Sequence, residues 1–426
     1  MEKLKLHKIS YLDEGKKIIY DYSVDSKLQK LFDKEHPFYA KYGIDVSDVP
    51  DSISVIPFLS NVLPIAWFGD FKIEIPELDE DFYNAVSLVK IEFEKQYPTH
   101  QLGGELIVKK LVKNSIIGSE SAMLFSGGVD AYATYIRVKD KTPDLITILG
   151  ADIGIDDQSQ WKDFTDFVET EKLLKKNGKE YIETNVRGFY TYQVELLLED
   201  IGWWGKVQHG LSLIGSVAPI SYVNSYSSIY IASSYTKEVD VAWGSTPEID
   251  NKITWASVQV IHDGYELKRQ DKVDLIAQFA SESNTKFKLR VCYSEFREEF
   301  NCSNCEKCFR TILGIILNDK DPNDYGFNVN MDVYTKIFET IKIGGATTGL
   351  KYFWWELMEK AKNSDQFYVF NNKDVELLRI NEIREGKIDR LLEEKLNNQN
   401  KGKQRLKFIF RNKFPWLIDL YKKIKK

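Results

Sequence analysis

Two groups of residues in this chain have types and spacings that suit chemistry. All four cysteines, Cys292, Cys302, Cys305 and Cys308, fall within seventeen residues, separated by nine, two and two positions. Two-residue gaps let thiolates converge on one tetrahedral ion, with Cys292 supplying the fourth ligand from the end of a preceding strand. Disulfides of a large secreted protein are not confined in this way. The cluster reads as a closed structural Zn²⁺ knuckle, with Lys307 and Arg310 offsetting the charge of four thiolates. An iron–sulfur cluster is the metallic alternative; buried free thiols or a redox Cys-x-x-Cys pair are the others. The second group is Phe125-Ser126-Gly127-Gly128-Val129-Asp130-Ala131. Here a short apolar run, Ala122–Phe125, meets two glycines and then a helical stretch from Asp130 to about Lys139. A strand, a tight turn and a helix N-terminus aim several backbone N–H groups at one point, which suits a phosphate. Glycine permits the close approach; Ser126 adds a hydroxyl, and Asp130 is placed for Mg²⁺ or a ribose. No Gly-Lys-Ser/Thr follows, so the loop is not a Walker A motif. The plain alternative is a turn with no ligand.

The Ser-Gly-Gly-Val-Asp run resembles the Ser-Gly-Gly-x-Asp-Ser signature of PP-loop ATP pyrophosphatases. The stretch Asn301–Thr311, with its cysteines, is similar to the knuckle of 7-cyano-7-deazaguanine synthases and their relatives. The resemblance covers about residues 119–318, under half the chain. It implies a HUP-type (adenine nucleotide alpha hydrolase-like) parallel sheet that binds ATP through Ser126, Gly127, Gly128, Val129 and Asp130. Leu149 and Gly150 would lie at the adenine edge with Asp152 close by, although Asp152 reads somewhat more readily as a loop cap. A substrate carboxylate or amide oxygen would attack the α-phosphorus, pyrophosphate would leave, and ammonia or another nucleophile would displace AMP. One departure stands out: the final Ser of the signature is Ala131 here, which removes a hydroxyl from the phosphate cradle.

The elements expected to position these groups are α/β. Residues 1–118 read as an N-terminal α/β module, with strands at Lys16–Tyr22 and Phe71–Ile75 and a helix over Asp79–Tyr97. Residues 119–318 alternate strands (Ala122–Phe125, Leu145–Leu149, Tyr181–Thr184, Ser228–Ala232, Val258–His262) with helices, as a parallel sheet covered on both faces requires. Helices are expected over Trp161–Lys176, stopped by Asn177-Gly178, over Leu211–Ile220 and over Phe309–Leu317. Gly103-Gly104 and Gly344-Gly345 read as turns. Loops at the carboxyl ends of such strands face ligands, which makes Trp243–Asp250 and Val260–Gly264 candidates. His262 is readable as a proton carrier or, more simply, as a hydrogen-bonded structural residue. His209-Gly210 is a weaker hint of the same kind. Arg269 and Lys272, one helical turn apart, are catalytic candidates for steadying the leaving pyrophosphate, or else a solvated helix face.

Residues 319–400 read as a helical accessory segment and 401–426 as a basic amphipathic tail. That tail holds ten Lys or Arg against Asp419 alone, so the net charge of −6 leaves −15 on the rest. An acidic body argues against specific nucleic-acid binding. The tail mixes its charges with Leu406, Phe408, Ile409, Phe410, Phe414, Trp416, Leu417, Ile418, Leu420 and Tyr421, and Pro415 kinks it. It suits weak contact with an anionic membrane or docking on the acidic body. No signal-peptide core and no run of about 18 apolar residues is found, so the expected place is the cytoplasm, at most peripheral to the inner face of the membrane. No Cys follows Met1, so ammonia would come from solution or a partner. The expected function is therefore an ATP-dependent ligase or amidotransferase acting on a small molecule, with a carboxylated sugar of surface-glycan synthesis as one candidate. The rivals are a deazaguanine-synthase-like enzyme of a defence system and a non-catalytic nucleotide-binding module.

Overall fold

The computed structural model describes residues 1–292, 300–343, 347–396 and 401–413. Ten strands form one sheet: β1 (Lys3–Leu12), β2 (Lys17–Val24), β3 (Tyr39–Tyr42), β4 (Lys72–Asp79), β5 (Glu105–Val112), β6 (Glu120–Leu124), β7 (Asp144–Leu149), β8 (Lys179–Thr184), β9 (Tyr226–Ala232) and β10 (Gln259–Asp263). Their order is β10-β9-β6-β7-β8-β3-β2-β1-β4-β5. The half from β10 to β8 is parallel throughout. Antiparallel β3 then joins β8, and β2 and β1 continue the sheet to the parallel pair β4 and β5.

Alternation along the strands explains why both faces are covered. Ala122, Ile146, Ile148, Ile182 and Ile229 point into one core, while Met123, Leu145, Leu149 and Tyr230 point into the other. The first core is closed by the helices Ile56–Gly69 and His209–Gly215. The second is closed by Val129–Val138, Arg269–Ser283 and Glu306–Ile316. Residues 1–118 thus supply five strands and share a core with the parallel half, so the expected boundary at 118 falls within one continuous sheet.

Local chemistry shifts several expected ends. Asp79 caps the helix Glu80–Gln96 by accepting from the Phe82 N–H at 3.0 Å. The helix expected over Trp161–Lys176 runs instead from Gln158 to Thr170: Asp157 caps its start and Glu171 turns extended, leaving only a short turn at Lys172–Leu174. The helix expected over Leu211–Ile220 is two, His209–Gly215 and Ala218–Val223. Pro219 has no N–H for the Gly215 carbonyl. Cys292 does not end a strand; residues 285–292 form no ladder. Gly104 takes φ +77° in the irregular stretch before β5, where its N–H donates to the Asp70 carboxylate. Gly344 and Gly345 lie outside the described residues, and so do Phe414, Pro415, Trp416, Leu417, Ile418, Leu420 and Tyr421. The described part of the tail, the helix Lys401–Lys413, meets the body where Arg405 donates to the carbonyls of Leu196, Leu198 and Glu199. Among the described residues no helix is long and apolar enough to cross a membrane.

The β3–β8 seam pairs only three residues a side, and Asn185 reinforces it. Its carbonyl accepts from the Tyr39 N–H at 2.9 Å, and its amide donates to the carbonyls of His36 and Pro37, each at 3.0 Å. Replacing it with Ala strips all three bonds from a site that is 6% exposed. Asn185→Ala is expected to lose about 2–4 kcal/mol of stability in urea denaturation.

Candidate functional site

In the parallel half, β6 is the first strand in sequence and lies between the second (β7) and the fourth (β9). The chain leaves β6 toward one side and returns on the other. Beyond the carboxyl ends of β6 and β9 this leaves a crevice, the usual ligand position in open α/β sheets. The loop Phe125–Gly128 leads out of β6 directly into that crevice.

Two interactions shape the loop. Gly127 sits at φ +72°, and a side chain there would meet the Phe164 ring at 2.8 Å. Its carbonyl accepts from the Arg290 N–H at 2.7 Å. Gly128 precedes the helix Val129–Val138, whose first N–H groups have no intrahelical acceptor. The cleft behind the loop is lined by Ser126, Ile146, Ile148, Ala151, Ile231 and Ala232, with Ala131 and Asp130 at its edge. Most of this lining is apolar, as is usual in small-molecule clefts. Leu149 and Gly150 do not line it. The Leu149 side chain points into the second core, and the Gly150 N–H is bound to the Ile153 carbonyl at 2.8 Å. Ile148, Ala151, Asp152 and Ile153 take the expected position at the end of β7.

The three residues expected to be catalytic come together as one ion cluster. Asp130 accepts from Arg269 at 2.9 Å and from Lys272 at 3.1 Å, and Lys272 also donates to the Ser233 carbonyl. Burial raises the Asp130 pKa, but the two cations outweigh it and hold the carboxyl below its ordinary range. Burial lowers the Lys272 pKa against the pull of Asp130. The Lys272 side chain is only 3% exposed, so it holds Asp130 in place, while Arg269 reaches the chamber outside the cleft.

That outer chamber, about 1010 Å³, shares Asp130, Asp152, His209 and Ser234 with the inner cleft. Arg187, Arg269, Lys307 and Arg310 line it together with four carboxylates, those of Asp130, Asp152, Asp156 and Asp157. Lys307 and Arg310 therefore face the chamber and not the thiolates. The helix Glu306–Ile316 turns them toward Asp152 and Phe353, the Arg310 guanidinium lying 4.5 Å from the Phe353 ring centre. Burial lowers the Lys307 ammonium to about 7 against the pull of Asp152.

The cysteine cluster adjoins this wall. Its four Sγ atoms lie within 4.8 Å of one another, with separations of 3.4 Å (305–308), 3.8 Å (302–308) and 4.0 Å (292–305). A tetrahedral zinc with bonds of about 2.3 Å needs sulfurs about 3.8 Å apart. The donor set fits a metal such as zinc. Asn301, 2% exposed, stands in for a strand ladder at Cys292. Its side chain accepts from the N–H groups of Val291 and Cys292 and donates to the carbonyls of Leu289 and Gly326.

His262 lies off the site. Its Nδ1 is 2.7 Å from Asp250, both side chains are fully buried, and neither lines the cleft or the chamber. Trp243 of the neighbouring loop does reach the chamber, as does His209, whose pKa burial lowers. Residues that sequence reasoning missed complete the surroundings. Arg290 donates to Gln160 and lies 5.0 Å from the Phe164 ring centre. Arg187 and Trp204 form the far wall. Phe353 and Glu356 come from the helix Thr348–Asn363, and Glu356 accepts from the Gln270 N–H at 2.8 Å, capping the helix that carries Arg269. Lys307 and Arg310, expected beside the thiolates, lie three positions apart and so share the helical face turned to the chamber. Comparisons with protein-family models, with curated proteins and with solved structures return no match for this chain.

Two outcomes follow from this geometry. Purified protein should carry about one zinc per chain by elemental analysis; Cys305→Ser should lose it, and chelation should lower the thermal midpoint. Burial raises the Glu356 carboxyl to about 7, although the Gln270 N–H and Arg269 favour its ionised form. The unfolded chain ionises this group near 4.3. Stability of the wild type relative to Glu356→Gln should therefore fall as pH rises from about 4.3 to about 7 and level off above. A urea-midpoint difference that does not change with pH would show that this carboxyl ionises freely.

Proposed function

We propose that this chain is an ATP-dependent enzyme that cleaves the bond between the α- and β-phosphates and passes AMP to an acceptor oxygen. The observation that carries this reading is the place of the glycine loop. It lies at the strand-order switch, where Ser126 and Asp130 line an apolar cleft and Asp130 also lines a chamber that carries Arg187, Arg269, Lys307 and Arg310 beside Asp152, Asp156 and Asp157. The adenine would enter the cleft between Ile146, Ile148 and Ile231, with the phosphates at the N–H groups that follow Gly127. Arg269 and Lys307 face the same space and suit the charge that builds on a leaving pyrophosphate. Asp130 holds Arg269 in that position, and Mg²⁺ would accompany the nucleotide as part of the substrate. The acceptor oxygen attacks the α-phosphorus, the bond to the β-phosphate breaks, and pyrophosphate leaves with its electron pair. Ammonia or another nucleophile then displaces AMP.

Gly128 offers a clean test, because its φ of −82° is ordinary and an added Cβ would meet nothing closer than 3.4 Å. A valine there keeps the loop and fills the anion space. Gly128→Val should weaken ATP binding by about tenfold or more in calorimetry without lowering the thermal midpoint. Ala131→Ser, which adds a hydroxyl at the edge of the cleft, should bind ATP equally or more tightly. Turnover with the acceptor should yield AMP and pyrophosphate. ADP and phosphate as products would overturn the reading. Asp130→Asn is a poorer probe, since it strands two partly buried cations and costs stability.

A further inference from the structure

The outer chamber has a wall that the nucleotide does not need. From Arg187 a continuous belt of rings runs across it. The Arg187 guanidinium lies 5.2 Å from the Trp204 ring centre; Trp204 lies 5.4 Å from His209, and His209 lies 5.5 Å from Trp243. Trp243 then meets Tyr235 at 5.0 Å, and Tyr235 stacks on Phe353 at 5.4 Å. All of these residues line the chamber. Arg310 and Arg269 lie over Phe353 at the other end. Within the wall, His209 Nδ1 and Trp243 Nε1 are buried and have no hydrogen-bond partner among the described residues. Unpaired buried ring nitrogens cost stability, so the belt is not arranged for stability alone.

Arg187 is set apart from the other chamber cations. It donates to the Ala151 carbonyl at 3.1 Å and rests against Trp204, and no ion pair to it is found among the described residues. Its planar fork keeps donors for a carboxylate.

We propose that this belt, with Arg187, is the acceptor subsite and that it takes an acidic saccharide of more than one sugar ring. Three observations select that class. The belt couples ring faces with a guanidinium, which suits a molecule that has both apolar C–H faces and carboxylates. Its rings meet at interplanar angles of 71°, 42° and 73° from Trp204 to Tyr235, so they face different directions and form no parallel-sided slot. A flat heteroaromatic acceptor needs such a slot; puckered rings that step along a wall do not. The chamber volume of about 1010 Å³ lies at the top of the range for small-molecule sites, about 300–1,000 Å³, and leaves room for a saccharide beside a pyrophosphate at Arg269 and Lys307. The role as acceptor site rests on the nucleotide reading above, since an acceptor needs a nucleotide beside it.

The experiment titrates the full chain with digalacturonate and follows tryptophan fluorescence, with ATP affinity measured separately by calorimetry. Digalacturonate should quench the wild type saturably. Arg187→Ala should weaken that binding about ten- to a hundredfold, and Arg187→Lys by less, with ATP affinity unchanged in both. The methyl-esterified disaccharide should bind the wild type as weakly as digalacturonate binds Arg187→Ala. No saturable response of the wild type, or equal affinity in Arg187→Ala, would overturn the proposal. Tighter binding of indole-3-carboxylate than of digalacturonate would also overturn it. If digalacturonate binds and ATP does not, the saccharide site stands and the nucleotide reading falls.

Discussion

The hydrogen bond from the Arg290 N–H to the Gly127 carbonyl joins the glycine loop to the segment that leads into the cysteine cluster. Two residues further on is Cys292, and Asn301 ties that stretch to Leu289 and Gly326. The loop shape, the Arg290 side chain over Phe164 and the first thiolate therefore share one backbone path. A metal held by the four sulfurs would act on the crevice through that path and on the start of the helix Glu306–Ile316, whose cap is Cys305. Lys307 and Arg310 inherit their direction from the same cap.

Charge in the site is arranged as a hierarchy of exposure. Lys272 is nearly sealed and saturated by Asp130 and Ser233, Arg269 is half committed to Asp130, and Arg187 has no carboxylate partner among the described residues. Buried pairs of this kind give fixed geometry more than stability, because desolvation offsets most of the Coulomb gain. The gradient gives the crevice a rigid inner rim and an outer rim that can exchange partners.

Features carried by contiguous residues were legible in the sequence. The apolar runs of β6 to β9 announce buried parallel strands, and the cysteine spacing announces the four-sulfur cluster. What escaped depends on chain-distant convergence. Arg187, Trp204 and Phe353 lie more than 160 positions apart at the extremes, and nothing local marks them as one wall with Trp243, whose loop was expected to face a ligand. The direction of Lys307 and Arg310 required the helical phase, which the Cys305 cap sets. His262 shows the opposite limit: a polar residue at a strand end looks the same whether it meets a ligand or, as here, a buried Asp250. The break before Pro219 and the early end at Glu171 were missed because apolar content masked the punctuation.

The last strand of the sheet ends at Asp263, yet Arg269, Arg290, Lys307, Arg310 and Phe353 all follow it. A ribosome releases the chain from its N-terminus, at about 5–20 residues each second, and domains fold as they emerge. Every strand is thus available before any of these five side chains exists outside the exit tunnel. At that stage one face of the sheet still lacks the helices Arg269–Ser283 and Glu306–Ile316 that close its second core. Synthesis thus delivers the strands first and the side chains that line the crevice afterwards, with the helix Thr348–Asn363 the last part of that wall to emerge.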